Sequence, residues 1–127
     1  MAKNMSFSLT TDQVRRREKT VTRRRNWWQD KNGRRLLAVG DQVNACVKVM
    51  GRKAGEPIEK ICDIEIVSIR RERLSEMIDD LEYGLHEAAA EGFSEMTGAQ
   101  FVSMFCDHMG GEAEQEITRI EFKYLEG

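Results

Sequence analysis

The chain has 127 residues, 40% hydrophobic and 33% charged, with one proline and a formal net charge of -2. That length makes one domain, spanning 1–127, able to bury about two-thirds of the surface its unfolded chain exposes, and the composition excludes a disordered polar chain. No apolar run approaches the roughly 18–20 residues of a membrane-spanning helix, so no membrane partner is expected.

The N-terminal residues lack the apolar core of a signal peptide. The three cysteines, Cys46, Cys62 and Cys106, are odd in number and widely spaced, which suits reduced thiols. Both features lead us to expect a cytoplasmic protein. There is no Cys-x-x-Cys pair and no Cys/His cluster, so neither a metal nor a cofactor is expected.

The net charge conceals a separation along the chain. Residues 1–35 hold eleven Lys/Arg against three Asp/Glu, and residues 36–127 hold nine against nineteen. Such asymmetry suits either an anionic ligand or two blocks that neutralise each other inside the fold.

In chain order, Ser6-Phe7-Ser8-Leu9 alternates and predicts a short strand. Thr10 or Thr11 caps a helical turn through Asp12 to Arg17. The β-branched run Thr20-Val21-Thr22 predicts extended chain, placing the Lys19–Arg24 stretch at a helix-to-strand junction, where ligands are commonly met. Trp27-Trp28 follow, then a turn at Asp30-Lys31-Asn32-Gly33.

A strand is expected from Val43 to Val49, a loop from Gly51 to Pro57, and a long strand from Ile58 to Ile69. Cys62, Ile64 and Ile66 fall on one face of that strand and Ile61, Val67 and Ile69 on the other, and Arg70-Arg71-Glu72-Arg73 should end it in solvent. Helices are predicted from Leu74 to Ile78, from Leu85 to Glu91, and from a Thr97-x-x-Gln100 capping box through Met109 to Gly110-Gly111. A half-buried strand, Thr118 to Tyr124, closes the chain. The pattern predicts an α+β fold, a small barrel with helices packed around it, its first and last strands neighbours.

Several residues resemble a known family signature. Lys19-x-x-Thr22-x-Arg24 resembles the Gly-x-Lys-x-x-Thr-x-Arg motif of ASCH domains, the activating-signal-cointegrator homology group of the PUA-like superfamily. Gly40-Asp41 before a strand, Glu91-Gly92-Phe93, Phe101, and the closing Ile120-Glu121-Phe122 resemble the rest of that pattern in order. Arg17 stands where the family has glycine, which would strain the turn if positive φ is required there.

The resemblance implies a small PUA-like β-barrel with a cleft at the motif, and RNA or a modified nucleoside as partner. Members include RNA-binding modules, amidohydrolases of 4-acetylcytidine, and proteins described as ribonucleases. The small size resembles compact prokaryotic or phage members.

For a hydrolase, the resemblance places catalysis on Lys19, Thr22 and Glu91. A neutral Lys19 amine would take the proton of Thr22, with Arg17, Arg23 and Arg24 lowering its pKa by repulsion. Glu91 would protonate the leaving amine, and Arg24 would bind an oxyanion or the ligand. Thr20 is a rival nucleophile. On a regular strand Lys19 and Thr22 would face opposite ways, so their convergence requires a bend.

Arg17, Arg23 and Arg24 are candidate phosphate contacts, and Trp27 or Trp28, not both, a candidate stacking platform. Glu82 and Glu87 read as solvated helix face; His86, His108 and Cys106 carry no partner pattern. The leading expectation is an RNA- or nucleoside-binding domain. The alternatives are a hydrolase on the same cleft and a protein-interaction module using the basic segment.

Overall fold

The computed structural model describes residues 3–49 and 53–126, so the first residues of the loop expected from Gly51 lie outside the description. Five strands and four helices follow in the order β1 (Lys3–Ser6), α1 (Thr11–Arg15), β2 (Val21–Arg24), β3 (Gln42–Cys46), β4 (Lys60–Arg73), α2 (Glu76–Asp79), α3 (Leu81–Ala90), α4 (Gly98–Met109) and β5 (Glu116–Tyr124). The strands form one curled mixed sheet, a half-barrel, in the order β1-β3-β4-β5-β2. The architecture is the expected α+β one, a curled sheet with helices packed around it.

The expectation that the first and last strands are neighbours fails. The last strand, β5, lies between β4 and β2, while β1 pairs in parallel with β3 at the opposite edge. The first strand also lies earlier than expected. Thr10 N–H and Thr11 Oγ1 both turn back to donate to the Phe7 carbonyl, so residues 7–10 form a turn. Phe7 enters the core and Leu9 is left 51% exposed.

The apolar residues on both faces of β4 have a simple cause. A bulge between Ile66 and Ser68 shifts the register against β5 and ejects Val67, which is 42% exposed. The strand thereby changes phase, so that Ile64 and Ile66 are buried before the bulge and Ile69 packs on the same core after it. It also does not end at Arg70. Pairing continues to Arg73 opposite Glu116, which carries Glu72 to the helical layer.

Two cores result, divided by the sheet. Met5, Phe7, Val43, Ile64, Ile66 and Phe122 lie among the residues filling the barrel side. Leu74, Met77, Ala88, Phe101, Phe105 and Ile117 fill the helical side. Strand β5 serves both, Ile117 on one and Ile120 on the other, so it is more buried than its alternation suggests.

Helix α3 begins four residues earlier than expected because Asp80 caps it, accepting from the Tyr83 N–H. Helix α4 carries the expected capping box at Thr97 and Gln100. The two helices meet at Gly84 and Gly98, where a Cβ on either would strike the Met77 carbonyl. Gly98→Ala is therefore expected to lower stability by about 2–3 kcal/mol through overpacking against backbone, read as a lower urea midpoint at unchanged slope.

Candidate functional site

The stretch from Arg15 to Arg24 is shaped by a helix ending. Arg17 takes φ 58°, its N–H donates to the Val14 carbonyl at 3.0 Å and the Glu18 N–H to that of Gln13 at 2.9 Å. This is a Schellman turn with a non-glycine residue in the left-handed position, the strain anticipated where the resemblance has glycine. Helix α3 ends in the same motif. Gly92, at φ 102°, donates to the Ala89 carbonyl and Phe93 to that of Ala88. A Cβ at Gly92 would meet Cγ of Gln13 at 2.8 Å, so the two helix ends lie back to back.

Lys19 leaves the first turn and crosses into the second. Its Nζ donates to the Glu91 backbone carbonyl and to Glu91 Oε1, each at 2.8 Å. A buried cation thus sits on the C-terminal carbonyls of α3, where the helix dipole favours it. The Thr20 N–H donates to the Ala90 carbonyl at 2.8 Å, and β2 begins at once. This junction is the bend that brings Lys19 and Thr22 into one cleft.

Arg23, on the helix side of β2, is an anchor. Its guanidinium donates to Glu91 Oε2 at 3.2 Å, Glu72 Oε2 at 2.8 Å and Glu87 Oε1 at 2.6 Å. Arg119, directly opposite Arg23 in the β2–β5 register, forks onto both oxygens of Glu87 at 2.6 and 3.0 Å. Like charges facing across a sheet repel, and Glu87 between them turns the repulsion into a clamp. The buried cations Lys19, Arg23 and Arg119 are matched by Glu72, Glu87 and Glu91. Arg23 Nε is buried without a partner.

Glu87 contradicts its reading as solvated helix face, being 1% exposed. Glu72, Tyr83 and Arg119 were equally unforeseen members of the network. A signal existed for one of them: Glu87 and Glu91 are four apart and share a helix face, an arrangement that calls for a cation between them.

The cleft lies where β2, the turn after β1 and helix α4 meet, and has a volume of about 270 Å³. Thr22, Arg24, Lys19 and Glu91 form its polar end, the turn from Phe7 to Thr10 one wall, and Phe101, Met104 and Phe105 the other. Arg24 differs from Arg23. Its Nε donates to Thr22 Oγ1 at 2.9 Å and its Nη2 to the Ser6 carbonyl at 2.6 Å, with the guanidinium over the Phe7 ring at 5.0 Å. It has no carboxylate partner among the described residues. Burial pulls its pKa down to about 10, which leaves it charged at neutral pH.

The other candidate contacts lie elsewhere. Arg17 pairs with Glu126 at 3.1 Å and lies over Tyr124. Trp27 packs on the barrel core, while Trp28 carries Arg35 over its ring at 5.5 Å. Neither tryptophan lines the cleft. Lys19 does have a lowered pKa, but burial is the leading cause, opposed by Glu91, and repulsion from Arg24 and Arg23 is secondary. Arg17 has no part in it.

Solved structures share this architecture. The ASCH domain of Lactobacillus crispatus JV V101 is similar at a TM-score of 0.56 and 20% identity, over 96% of this chain and 78% of that one. The fold is that of an ASCH domain. A DUF984 protein of Enterococcus faecalis V583 is similar at a TM-score of 0.64 and 12% identity, over 98% and 80%. No protein-family model matches the sequence, and no curated protein does. Across the ASCH fold, the elements that carry the Lys-x-x-Thr-x-Arg stretch and Glu91 are here joined by the buried charge network.

That network sets an acid limit. Burial alone would raise the Glu87 carboxyl, but Arg119 and Arg23 hold it at about 2. A folded-state pKa below the ordinary value stabilises the fold above that value and ceases to do so as pH falls through the folded one. From roughly pH 4.3 down to 2, Glu87 should withdraw about 3 kcal/mol, with Glu72, also held low despite burial, adding to it. Glu87→Gln should lower stability at pH 7 and flatten the loss below pH 4.5, as measured by urea unfolding across that range.

Proposed function

We propose that this protein binds a single nucleobase, as a nucleoside or a residue of RNA, in the cleft lined by Lys19, Thr22, Arg24 and Glu91. The observation that carries this reading is Arg24, a charged guanidinium at the end of an apolar slot, without a carboxylate partner among the described residues. The apolar lining of Phe7, Phe101, Met104 and Phe105 would seat a planar heterocycle, while Arg24 and Thr22 would donate to it and Glu91 accept. Such an arrangement of few convergent polar groups in an apolar pocket is how small-molecule sites fix orientation. The ASCH fold supports the same ligand class, through the RNA and modified nucleobases that the motif resemblance implies.

Isothermal titration with cytidine and 4-acetylcytidine tests this. Arg24→Met should weaken binding at least about tenfold, the scale of one lost charged hydrogen bond. Arg16→Ala, whose exposed side chain pairs with Glu18, should leave it unchanged. Absence of binding to any nucleoside by the parent protein would sink the reading.

A second reading, hydrolysis of the 4-acetyl amide, is favoured by one observation. The Lys19 amine is depressed by burial and shares the cleft with the Thr22 hydroxyl and the Glu91 carboxylate. In the chemistry, Thr22 Oγ1 adds to the acetyl carbon as Lys19 takes its proton. That proton passes through Glu91, which Lys19 contacts, to the leaving cytidine amine. Water, giving its proton to Lys19 in turn, frees Thr22 as acetate departs. The resting hydrogen bonds oppose it: both recorded Lys19 bonds go to Glu91, and Thr22 Oγ1 accepts from Arg24. If the cleft cuts, chromatography will show cytidine released from 4-acetylcytidine and none from Thr22→Ala; if it only grips, the parent will release none.

A further inference from the structure

The basic segment continues past the cleft, and its charges divide into two groups. Arg15, Arg16 and Arg17 are each paired with a carboxylate, on Glu59, Glu18 and Glu126. Arg25, Lys31, Arg34 and Arg35 have no carboxylate partner among the described residues. The first group closes and follows α1; the second follows β2.

Geometry connects the second group to the cleft. Arg25 Nη1 donates to the Met109 carbonyl at 2.9 Å, at the end of α4 beside the cleft lining. Trp27, at φ 76°, turns onto the barrel core, and Trp28 lies three positions after Arg25, a span of at most about 11 Å.

From Trp28 the chain doubles back as a small hairpin. Gln29 bridges Arg35, the Asp30 N–H donates to the Arg34 carbonyl at 2.8 Å, and the Leu36 N–H to that of Trp28 at 3.2 Å. Asp30, the one acid of the hairpin, has its Oδ1 occupied by the Asn32 and Arg34 N–H groups at 2.8 and 2.9 Å. It therefore braces the tip, and the hairpin keeps a net charge of +2, Lys31, Arg34 and Arg35 against Asp30. Lys31, Arg34 and Arg35 are all exposed, and Arg35 is steadied over the Trp28 ring at 5.5 Å.

The geometry points to the hairpin of residues 28–36 as a track for the phosphodiester backbone of a single nucleic-acid strand whose base occupies the cleft. This rests on the nucleobase reading above and extends it from a nucleoside to a strand. Three exposed cations on one braced hairpin suit successive phosphates, and a guanidinium stacked on an aromatic ring offers its donors edge-on. A single strand is required because a base paired in a duplex cannot enter the cleft without leaving its stack. An acidic protein would meet the same charges but would leave the adjoining base-sized slot without a purpose.

Fluorescence anisotropy with a short fluorescein-labelled oligocytidylate, titrated between about 50 and 200 mM salt, tests the track. The Lys31→Ala/Arg34→Ala/Arg35→Ala variant should bind it at least about tenfold more weakly. The slope of log affinity against log salt should fall by about two, the value for three phosphate contacts on a single strand. The same variant should melt like the parent and bind free cytidine within about twofold of it.

Unchanged oligonucleotide affinity and slope would overturn the track, as would a parent that binds cytidine but no oligonucleotide. Polyglutamate binding as tight as the oligonucleotide, lost in the same variant, would overturn it in favour of an acidic protein. Oligonucleotide binding that the triple variant loses and Arg24→Met does not would keep the track and remove the cleft reading.

Discussion

Lys19 reaching Glu91 is the interaction on which the rest of the site depends. It joins the end of one helix to the end of another and fixes where β2 begins. It also places the Glu91 carboxylate and the Lys19 amine in the lining of the cleft. A buried ion pair of this kind is rarely a net source of stability, because desolvation offsets most of the attraction. Its value here is geometric. With Arg23 on the other carboxylate oxygen, Glu91 is held from two sides, and the helical layer has one register against the sheet.

The two neighbouring arginines of β2 show how alternation along a strand divides labour. Arg23 faces the helices and is consumed by Glu72, Glu87 and Glu91. Arg24 faces the barrel side, lies over Phe7 and donates across to Ser6 at the end of β1. That contact spans the two edges of the open sheet, so the side chain that helps close the half-barrel also lines the cleft. Loss of Arg24 would thus touch both the shape of the slot and its charge, whereas Arg23 acts only through the groups it positions.

Much of this was legible in the sequence. The capping box at Thr97, the β-branched run after Lys19, the closing amphipathic strand and the Lys-x-x-Thr-x-Arg stretch are local patterns, written in residues a few positions apart. The positive φ at Arg17 was foreseeable from the motif alone. The failures have physical causes. The bulge at Val67 shifts a strand's phase without any glycine or proline to mark it. The edge position of β1 depends on pairing partners forty residues away. Glu87 looked solvated because its two arginines lie on strands distant in sequence. The separation of charge along the chain proved to be partly internal neutralisation, through Lys19 and Arg23, and partly a surplus left on the segment after β2.

By itself, the sequence determined an α+β fold with a cationic Lys/Thr/Arg stretch at a helix-to-strand junction, because helix caps, strand alternation and turn residues act over short range. Only the tertiary structure decided which cations remain available. Pairing of buried charges is a contest among groups brought together from the turn after α1, from β2, β4 and β5, and from α3 and its C-terminal end. Arg23 was taken into the network and Arg24 was not. The fold, not the spacing, made that choice.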